Sequence, residues 1–472
     1  MLRTVPLFGT GSPNRVPHVT GQKRTNMCLR PSKDGEKGGF YITVTPGMTE
    51  VVATASLGST PSRGAISVNN VIYSVHGNTL YSINSSFTVT SRGTINTSSG
   101  HVSMAWNGTQ ICIVDGTDGW TYTTATNTLA EITDGQFPTA ASTVCFIAGR
   151  FVVSQASTGR FHWSALLDGT AWDALDFATA ESETDNLVGV ATDHGSLVLL
   201  GDISTEFWGS NPSAASSADA YVRIGGAGLE WGCASVRTVQ QFDTGLIFLA
   251  RNRMGECRVV RLNGYTAVPV DDEEIAYAIN EVSSLSSATA FSYVMDGQSF
   301  YQLNLSSTVS LLYDGIGWSF VTSYAGTARH PANIRAALSQ LPYVFHYSTG
   351  AMYLLDKDVL TAEGGVNSAV VREVISKHIF TDGEPSTIWK LNLHCAGNVS
   401  YDNENNVVEL KVSKDGGATY SSGLDATIGA LTTPTHTRVL WRRLGRARDW
   451  VFKFSTDERF RWTITGGSVE LE

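Results

Sequence analysis

A chain of 472 residues exceeds the size at which one hydrophobic core usually stops growing, so more than one domain is expected. With 42% apolar residues, 16% charged residues, 46 glycines and 13 prolines, the composition excludes disorder and suits many short strands joined by tight turns. The net charge of −10 argues against a general nucleic-acid binder, which needs a broad basic surface to displace counterions from phosphate.

The chain begins Met1-Leu2-Arg3 and continues through Pro6, Gly9, Gly11 and Pro13 with no apolar h-region, so a secretory signal is not expected. No apolar run is long enough to span a bilayer, so no membrane segment is expected. The Asn-x-Ser/Thr sequences at Asn84, Asn107, Asn304 and Asn398 read as chance matches in a chain rich in Ser and Thr. Residues 1–44 read as an N-terminal segment without the repeat that follows.

From about residue 45 to 358 a hairpin pattern recurs. An alternating stretch enters a turn, usually with glycine, and leaves as a very apolar strand; a further strand often carries Trp or Tyr. Val71–Val75 turns at His76-Gly77-Asn78 into Leu80–Ile83, and Val102–Trp106 turns at Asn107-Gly108 into Ile111–Val114. Val144–Ile147 turns at Ala148-Gly149-Arg150, Leu187–Thr192 at Asp193-His194-Gly195, and later turns fall at Asp243-Thr244-Gly245 and Asp296-Gly297-Gln298. The spacing of roughly 30 to 55 residues is that of propeller blades, and such units bury their faces against one another when arranged radially. The expected fold is all-β: a β-propeller-like array of six or seven blades over 45–358, followed by a C-terminal β-sandwich over 359–472.

Helix is expected at Asp271–Val282, capped by Asp271 with Glu274 in support, and with Ile275, Ala278, Ile279 and Val282 as its apolar stripe. A second short helix is expected at Ala332–Leu338. The domain boundary falls near Ala362-Glu363-Gly364-Gly365, beyond which strands read at Ala369–Ile375, Trp389–Ala396, Val407–Ser413, Thr437–Trp441, Trp450–Ser455, Phe460–Thr465 and Ser468–Leu471.

Few constellations carry chemistry. Cys28, Cys112, Cys145, Cys233, Cys257 and Cys395 are widely separated, show no metal-ligand spacing, and read as reduced core residues. Asp271-Asp272-Glu273-Glu274 suits a helix N-terminus, and Asp115-Gly116-Thr117-Asp118-Gly119 reads as a turn rather than a calcium loop. His194 reads as a solvated turn residue. No HExxH, GxSxG, Walker-type loop or dinucleotide fingerprint occurs, so no catalytic residue, cofactor site or metal site is expected.

Ser413-Lys414-Asp415-Gly416-Gly417-Ala418-Thr419-Tyr420 is similar to the Asp-box of sialidases and other β proteins. Ser413, Asp415, Gly417, Thr419 and Tyr420 are expected to stabilise a hairpin locally. A glycosidase would also need an arginine cluster and a nucleophile, and no such set is identified.

Arginines concentrate in Arg438-Val439-Leu440-Trp441-Arg442-Arg443-Leu444-Gly445-Arg446-Ala447-Arg448. Arg438, Trp441, Arg442, Arg443, Arg446 and Arg448 are the candidates for contact with another subunit or a partner; local ion pairing and DNA phosphate are the alternatives.

This stretch, followed by Phe452-Lys453-Phe454 and the close Ser468-Val469-Glu470-Leu471-Glu472, resembles the C-terminal signature of the packaged-DNA-stabilisation proteins of short-tailed bacteriophages. Weaker matches run in order along the chain, among them Pro46-Gly47-Met48, Arg63-Gly64, Val102-Ser103-Met104-Ala105 and Ser204-Thr205-Glu206-Phe207-Trp208. The resemblance implies a non-enzymatic tail-hub subunit in the virion tail, made in the host cytoplasm. It implies a homohexamer below the portal and its head-to-tail adaptor ring, with tailspikes or tail fibres outside and a tail needle or plug. It further implies that DNA passes through the channel without sequence-specific binding. The competing expectations are a carbohydrate-binding or glycosidase-type propeller, and a fibrous receptor-binding protein.

Overall fold

The computed structural model describes residues 3–11, 22–32, 39–180, 183–214, 216–323, 326, 328–360, 370–380, 383–396, 406–428 and 437–472. The expected boundary at Ala362-Glu363-Gly364-Gly365 and the sequon at Asn398 lie outside the described residues.

The repeated hairpins fold into seven antiparallel blades. Blade 1 is Ser62–Val68, Val71–His76, Thr79–Ile83 and Val89–Thr94; blade 2 is Ser103–Trp106, Gln110–Val114, Gly119–Thr123 and Thr128–Glu131. Blades 3 and 4 begin at Ala141–Ile147 and Leu187–Asp193, and blades 6 and 7 at Thr289–Met295 and Ala332–Leu338. Blade 5 differs: Trp231–Cys233 and Gln240–Phe242 both pair with Gly245–Asn252, so its first strand is broken. First strands of neighbouring blades meet one another, and Ser62–Val68 touches both Ser103–Trp106 and Ala332–Leu338. The ring is therefore closed, with the first strands innermost. Gly47–Val52 pairs with Met352–Asp356 and supplies the outer strand of blade 7, so an early strand locks the last blade.

The radial arrangement explains why the second strand of each blade is so apolar. Successive side chains of a strand point to opposite faces, and in a blade both faces are covered. Ile111 and Ile113 pack toward blade 1, whereas Cys112 and Val114 pack toward blade 3. Leu197 and Leu199 face blade 3, and Val198 and Leu200 face blade 5. Each blade interface has its own apolar cluster, and the one joining Phe345 and Leu338 to Ile72 and Ile83 closes blade 7 on blade 1.

Hairpins at Asn69-Asn70, Ala148-Gly149, His194-Gly195, Asp296-Gly297 and Ser339-Gln340 have positive φ at both residues, the backbone of turns whose twist matches paired strands. His194 is exposed beside Asp193, with 3.0 Å between Nδ1 and Oδ1. Asp115 Oδ1 accepts from the amides of Thr117 and Asp118, forming a turn. All six cysteines are buried and unbridged.

Two local expectations are corrected. Ala332–Leu338 is not a helix but the innermost strand of blade 7. Its Ala, Arg and Leu are good helix formers, but propensity is worth little per residue, and pairing with Leu341–His346 across the Ser339-Gln340 turn overrides it. The helix spans Glu273–Asn280, and its cap is Asp272, whose Oδ1 accepts from Ile275 N at 3.0 Å. Asp271 is instead buried and paired with Arg258 at 3.1 Å.

The C-terminal region forms a sandwich of two sheets. One sheet runs Met27–Pro31, Phe40–Val44, Ile464–Leu471, Ser386–Cys395 and Thr437–Ala447, with Arg3–Pro6 also on Ile464–Leu471. The facing layer holds Lys23–Thr25, Arg372–Ile375, Asp449–Thr456, Val407–Ser413 and Leu424–Thr427. Trp450, Trp462, Phe452, Phe454 and Phe460 fill the space between them. The described strands of residues 1–44 thus belong to the sandwich instead of forming a separate segment, because their partners lie at the far end of the chain. The strands expected at Phe460–Thr465 and Ser468–Leu471 are one strand, Ile464–Leu471; Phe460 and Trp462 are buried ahead of it. At Gly467 an added Cβ would lie 2.6 Å from Leu7 Cδ1, so glycine lets the N-terminal residues pack directly on this strand.

Sandwich and propeller share a sheet. Thr25 pairs in parallel with Phe320 of blade 6, while Lys23–Thr25 also pairs with Arg372–Ile375. One ten-stranded sheet therefore runs from blade 6 into the sandwich.

Candidate partner interface

The arginine-rich segment is strand Thr437–Ala447, and it lies at the edge of its sheet. Alternation turns Val439, Trp441 and Leu444 into the core and leaves Arg438, Arg442, Arg443, Arg446 and Arg448 exposed. Trp441 anchors the strand: its indole Nε1 donates to Leu424 O at 3.1 Å, joining the margins of the two sheets.

A β-bulge interrupts the strand. Ile388 pairs with Gly445 and Lys390 with Arg442, so Arg443 and Leu444 together oppose Trp389. Arg443 has φ of 60° and Gly445 has φ of 99°. The extra residue puts two consecutive arginines on the surface while Leu444 remains in the core. Beside them Trp389 is about half exposed, and its Nε1 donates to Glu472 Oε2 at 2.6 Å.

None of the five arginines is ion-paired among the described residues. Neighbouring charges are already matched: Lys390 with Glu470 at 2.7 Å, and Lys411 with Glu409 at 2.9 Å. The strand edge is flanked by guanidinium groups without an ion pair among the described residues, a surface suited to carboxylate or phosphate acceptors.

The Asp-box-like residues form a closed turn. Asp415 Oδ1 accepts from Ser413 Oγ at 2.7 Å and from Thr419 N at 2.9 Å, while its Oδ2 accepts from Thr419 Oγ1 at 2.6 Å. Ser413 Oγ accepts from Gly417 N at 2.8 Å. These hydrogen bonds hold the exposed Asp415 carboxyl down to about 2. Burial pushes the Tyr420 phenol up to about 12, and Lys453 Nζ lies 6.0 Å from its ring centroid. Both carboxylate oxygens of Asp415 are thus bonded to groups of its own turn, as a stabilised hairpin requires.

Sequence reasoning missed the clasp between the domains. Arg24 is buried, and its Nη2 donates to Trp318 O at 2.8 Å while Nη1 donates to Gly11 O at 3.0 Å. Asn26 Nδ2 donates to Thr322 Oγ1 and to Val371 O, both at 2.8 Å. Arg372 donates to Glu458 O and Leu360 O at 2.7 Å, and burial pushes its guanidinium down to about 10. Single arginines and asparagines in a polar stretch give no local sign of such burial.

No group of three His, Cys, Asp or Glu side chains suited to a metal ion occurs among the described residues. No helix among them is long and apolar enough to cross a membrane.

A closed seven-bladed ring clasped to a sandwich that exposes an arginine edge defines a β-propeller protein with an appended β-sandwich. Among solved structures, similar chains occur in the mitotic checkpoint complex (11% identity, 69% of this chain and 93% of that one, TM-score 0.43) and in BamB from Moraxella catarrhalis (10%, 76% and 98%, 0.41). No curated protein matches the chain. The chain belongs to the family of bacteriophage P22 Gp10, whose β-propeller matches residues 4–323 and whose β-sandwich matches residues 371–472. It is a phage tail structural protein.

Proposed function

We propose that the protein is the tail-hub, or nozzle, subunit of a short-tailed phage and acts without catalysis. Six copies form a ring below the portal and its adaptor ring, continue the DNA channel, retain the packaged genome, and dock tailspikes or fibres and the needle. The observation that carries this reading is the family match over both domains, to which the unmatched arginine edge adds a docking surface. Two rigidly clasped modules suit the work: the propeller resists deformation, and the sandwich presents Arg438, Arg442, Arg443, Arg446 and Arg448 to a neighbouring subunit or the adaptor. A net charge of −10 suits a channel wall that repels DNA phosphate and lets the genome slide.

The test is the mass of the full chain alone and with its phage's portal–adaptor complex. Assembly into a six-copy ring on the adaptor is expected, and Arg442→Glu with Arg443→Glu is expected to block it while the monomer stays folded. A folded wild-type chain that ignores the adaptor overturns the hub reading. Normal assembly of the double variant overturns the role of the arginine edge and leaves the hub reading standing.

A further inference from the structure

Two turns of blade 3 and a long loop of blade 4 enclose a cavity between these blades. Its volume is about 430 Å³, within the range of ligand and anchor-residue pockets. Blade 3 contributes Ala148 and Arg150 from its first turn and Leu166 from its last. Blade 4 contributes the connection between Thr205–Ser210 and Tyr221–Arg223. That connection is fastened to blade 3: Trp163 Nε1 donates to Ser217 O at 3.0 Å, and Tyr221 OH donates to Ile147 O at 2.9 Å. The cavity is therefore shaped by the packing of the two blades.

Arg150 is the one charged side chain lining it among the described residues. Its Nη1 donates to Ser164 O at 2.6 Å, while Nε and Nη2 donate to nothing among the described residues. The only carboxylate within 4 Å of it among those residues is Asp176, 3.8 Å from the same Nη1. Asp176 is buried, and burial raises its pKa. The Nε–Nη2 edge is thus unused, and that edge takes a carboxylate through two parallel N–H···O bonds. Asn211 lines the same cavity; its Oδ1 accepts from Ser213 N at 3.2 Å and its Nδ2 has no partner among the described residues.

The three most exposed leucines among the described residues surround this cavity. Leu166 (63% exposed) is in its wall, Leu167 (58%) follows it, and Leu175 (69%) precedes Asp176. Leu166 lies over the first turn of the blade, where a Cβ added to Gly149 would be 2.7 Å from Leu166 Cδ1. Leu175 is thrust out by a bulge. Ser164 pairs with Trp172 and His162 with Phe177, so the residues between Trp172 and Phe177 all oppose Trp163, and Asp173 Oδ1 accepts from Leu175 N at 2.9 Å. Leu167 has φ of 57°, a conformation that suits Asn or Gly better than leucine. Its backbone is pinned by Leu167 N to Gly149 O at 2.7 Å and by Asn107 Nδ2 to Leu167 O at 3.1 Å. Scattered exposed leucines are ordinary, but three around one cavity form an apolar rim about a polar centre.

We propose that this cavity is a docking pocket for a segment of a partner protein that carries an Asp or Glu beside leucine-like side chains. The carboxylate enters the cavity and takes the Nε–Nη2 edge of Arg150, and the apolar side chains cover Leu166, Leu167 and Leu175. The rim decides between a polypeptide and a small free carboxylate, because a ligand confined to the cavity leaves Leu167 and Leu175 in water. The pocket belongs to the propeller, not to the arginine edge of the sandwich, and does not rest on the hub reading.

The experiment titrates the full chain with the probe peptide acetyl-Leu-Glu-Leu-amide, with its Leu-Gln-Leu counterpart and with isocaproate, followed by saturation-transfer NMR. Saturable binding of the Glu peptide with Kd on the order of 1 mM is expected, and binding of the Gln peptide at least about tenfold weaker, the loss of one charge-assisted pair. Ser210→Trp fills the cavity from an exposed position without touching the Arg150–Ser164 bond, and abolishes binding. Leu167→Asn weakens binding by about threefold, the share of one partly covered apolar side chain, while its Tm stays equal to wild type or rises. Equal binding of the two peptides, or no saturation up to about 10 mM, overturns the pocket. So does a Ser210→Trp protein that melts and binds as wild type does. Isocaproate that binds as tightly as the Glu peptide overturns the polypeptide occupant in favour of a small carboxylate. Self-association of the chain alone that Ser210→Trp abolishes overturns it in favour of a second copy.

Discussion

Arg24 donates through Nη2 to the main-chain oxygen of Trp318 at 2.8 Å, across 294 positions of sequence. The contact ties the strand entering the sandwich to the last strand of blade 6, beside the parallel pairing of Thr25 with Phe320. Its surroundings leave nothing to replace it, because the same side chain also satisfies Gly11 O. Arg24→Ala removes these donors from buried carbonyls and leaves a void, so a loss of about 2–4 kcal/mol is expected in urea unfolding. Wild type should unfold in one transition, and the variant should show the sandwich and propeller melting apart. A loss below about 1 kcal/mol, the size of one ordinary hydrogen bond, contradicts the clasp.

Acid should destabilise the propeller through His330 and His346. His330 Nδ1 accepts from Ala332 N at 3.2 Å, and His346 Nδ1 accepts from Ser348 N at 3.1 Å. An acceptor nitrogen cannot carry a proton, so both rings are neutral in the fold. Burial pushes the His330 imidazole down to about 3 and lowers that of His346 in the same direction. Below the ordinary histidine pKa of about 6.5 the unfolded chain binds protons that the folded chain refuses, so stability falls as pH drops from about 6.5. The slope per buried histidine is up to about 1.4 kcal/mol per pH unit. Unfolding midpoints at pH 7.5, 6 and 5 should fall in that order, and His330→Gln should flatten the series. A midpoint that rises on acidification is incompatible with this assignment.

The blades were legible because their physics is local. Ile111–Val114 and Leu197–Leu200 must be apolar at every position when both faces of a blade are covered, and their turns need positive φ. The sandwich was legible only in part. Its later strands show alternation, but Arg3–Pro6 and Phe40–Val44 pair with Ile464–Leu471, and such distant partners leave no periodic trace nearby. Ala332–Leu338 misled for the opposite reason: its local preference was readable and the tertiary pairing overrode it. The arginine edge stood out by composition, and the burial of Trp441 between Leu440 and Arg442 follows from strand alternation. The bulge at Arg443 did not stand out, since a slip in register depends on the partner strand. The break in the first strand of blade 5 was invisible because nothing in Val236–Thr238 announces it.

The Asp415 turn supplies a second pH dependence, in a lower window. Its carboxyl, held down to about 2 by the Thr419 and Ser413 hydrogen bonds, favours the fold in its ionised form. That contribution is fully present above the ordinary aspartate pKa of about 3.9 and is lost as pH falls toward the folded value. Asp415→Ala should lower the unfolding midpoint at pH 7 and pH 5 by equal amounts, and the gap should narrow between pH 4 and pH 2.5. A gap that widens in acid shows that the turn is not held by the carboxylate. Glycan hydrolysis should be absent from both proteins, and activity lost on Asp415→Ala would revive the glycosidase reading.

Arg443 lets folding and the proposed docking be tested apart within a single side chain. Its φ of 60° is a conformation that costs an ordinary residue about 1 kcal/mol, and glycine adopts it freely. For the fold alone, glycine would serve better at this bulge. The guanidinium is exposed and has no ion pair among the described residues, so under the proposed docking role its use is in a contact made on assembly. Arg443→Gly should leave monomer stability unchanged or raise it by up to about 1 kcal/mol, the strain released. The same variant should dissociate faster from the adaptor-bound ring, with a salt dependence weaker than that of wild type, because one charged contact is lost. If Arg443→Gly destabilises the monomer by more than about 1 kcal/mol, the upper end of what an exposed side chain usually contributes, the arginine serves the bulge itself. If ring dissociation and its salt dependence match wild type, the docking role passes to the straight part of the edge, and Arg438 with Arg442 becomes the pair to exchange.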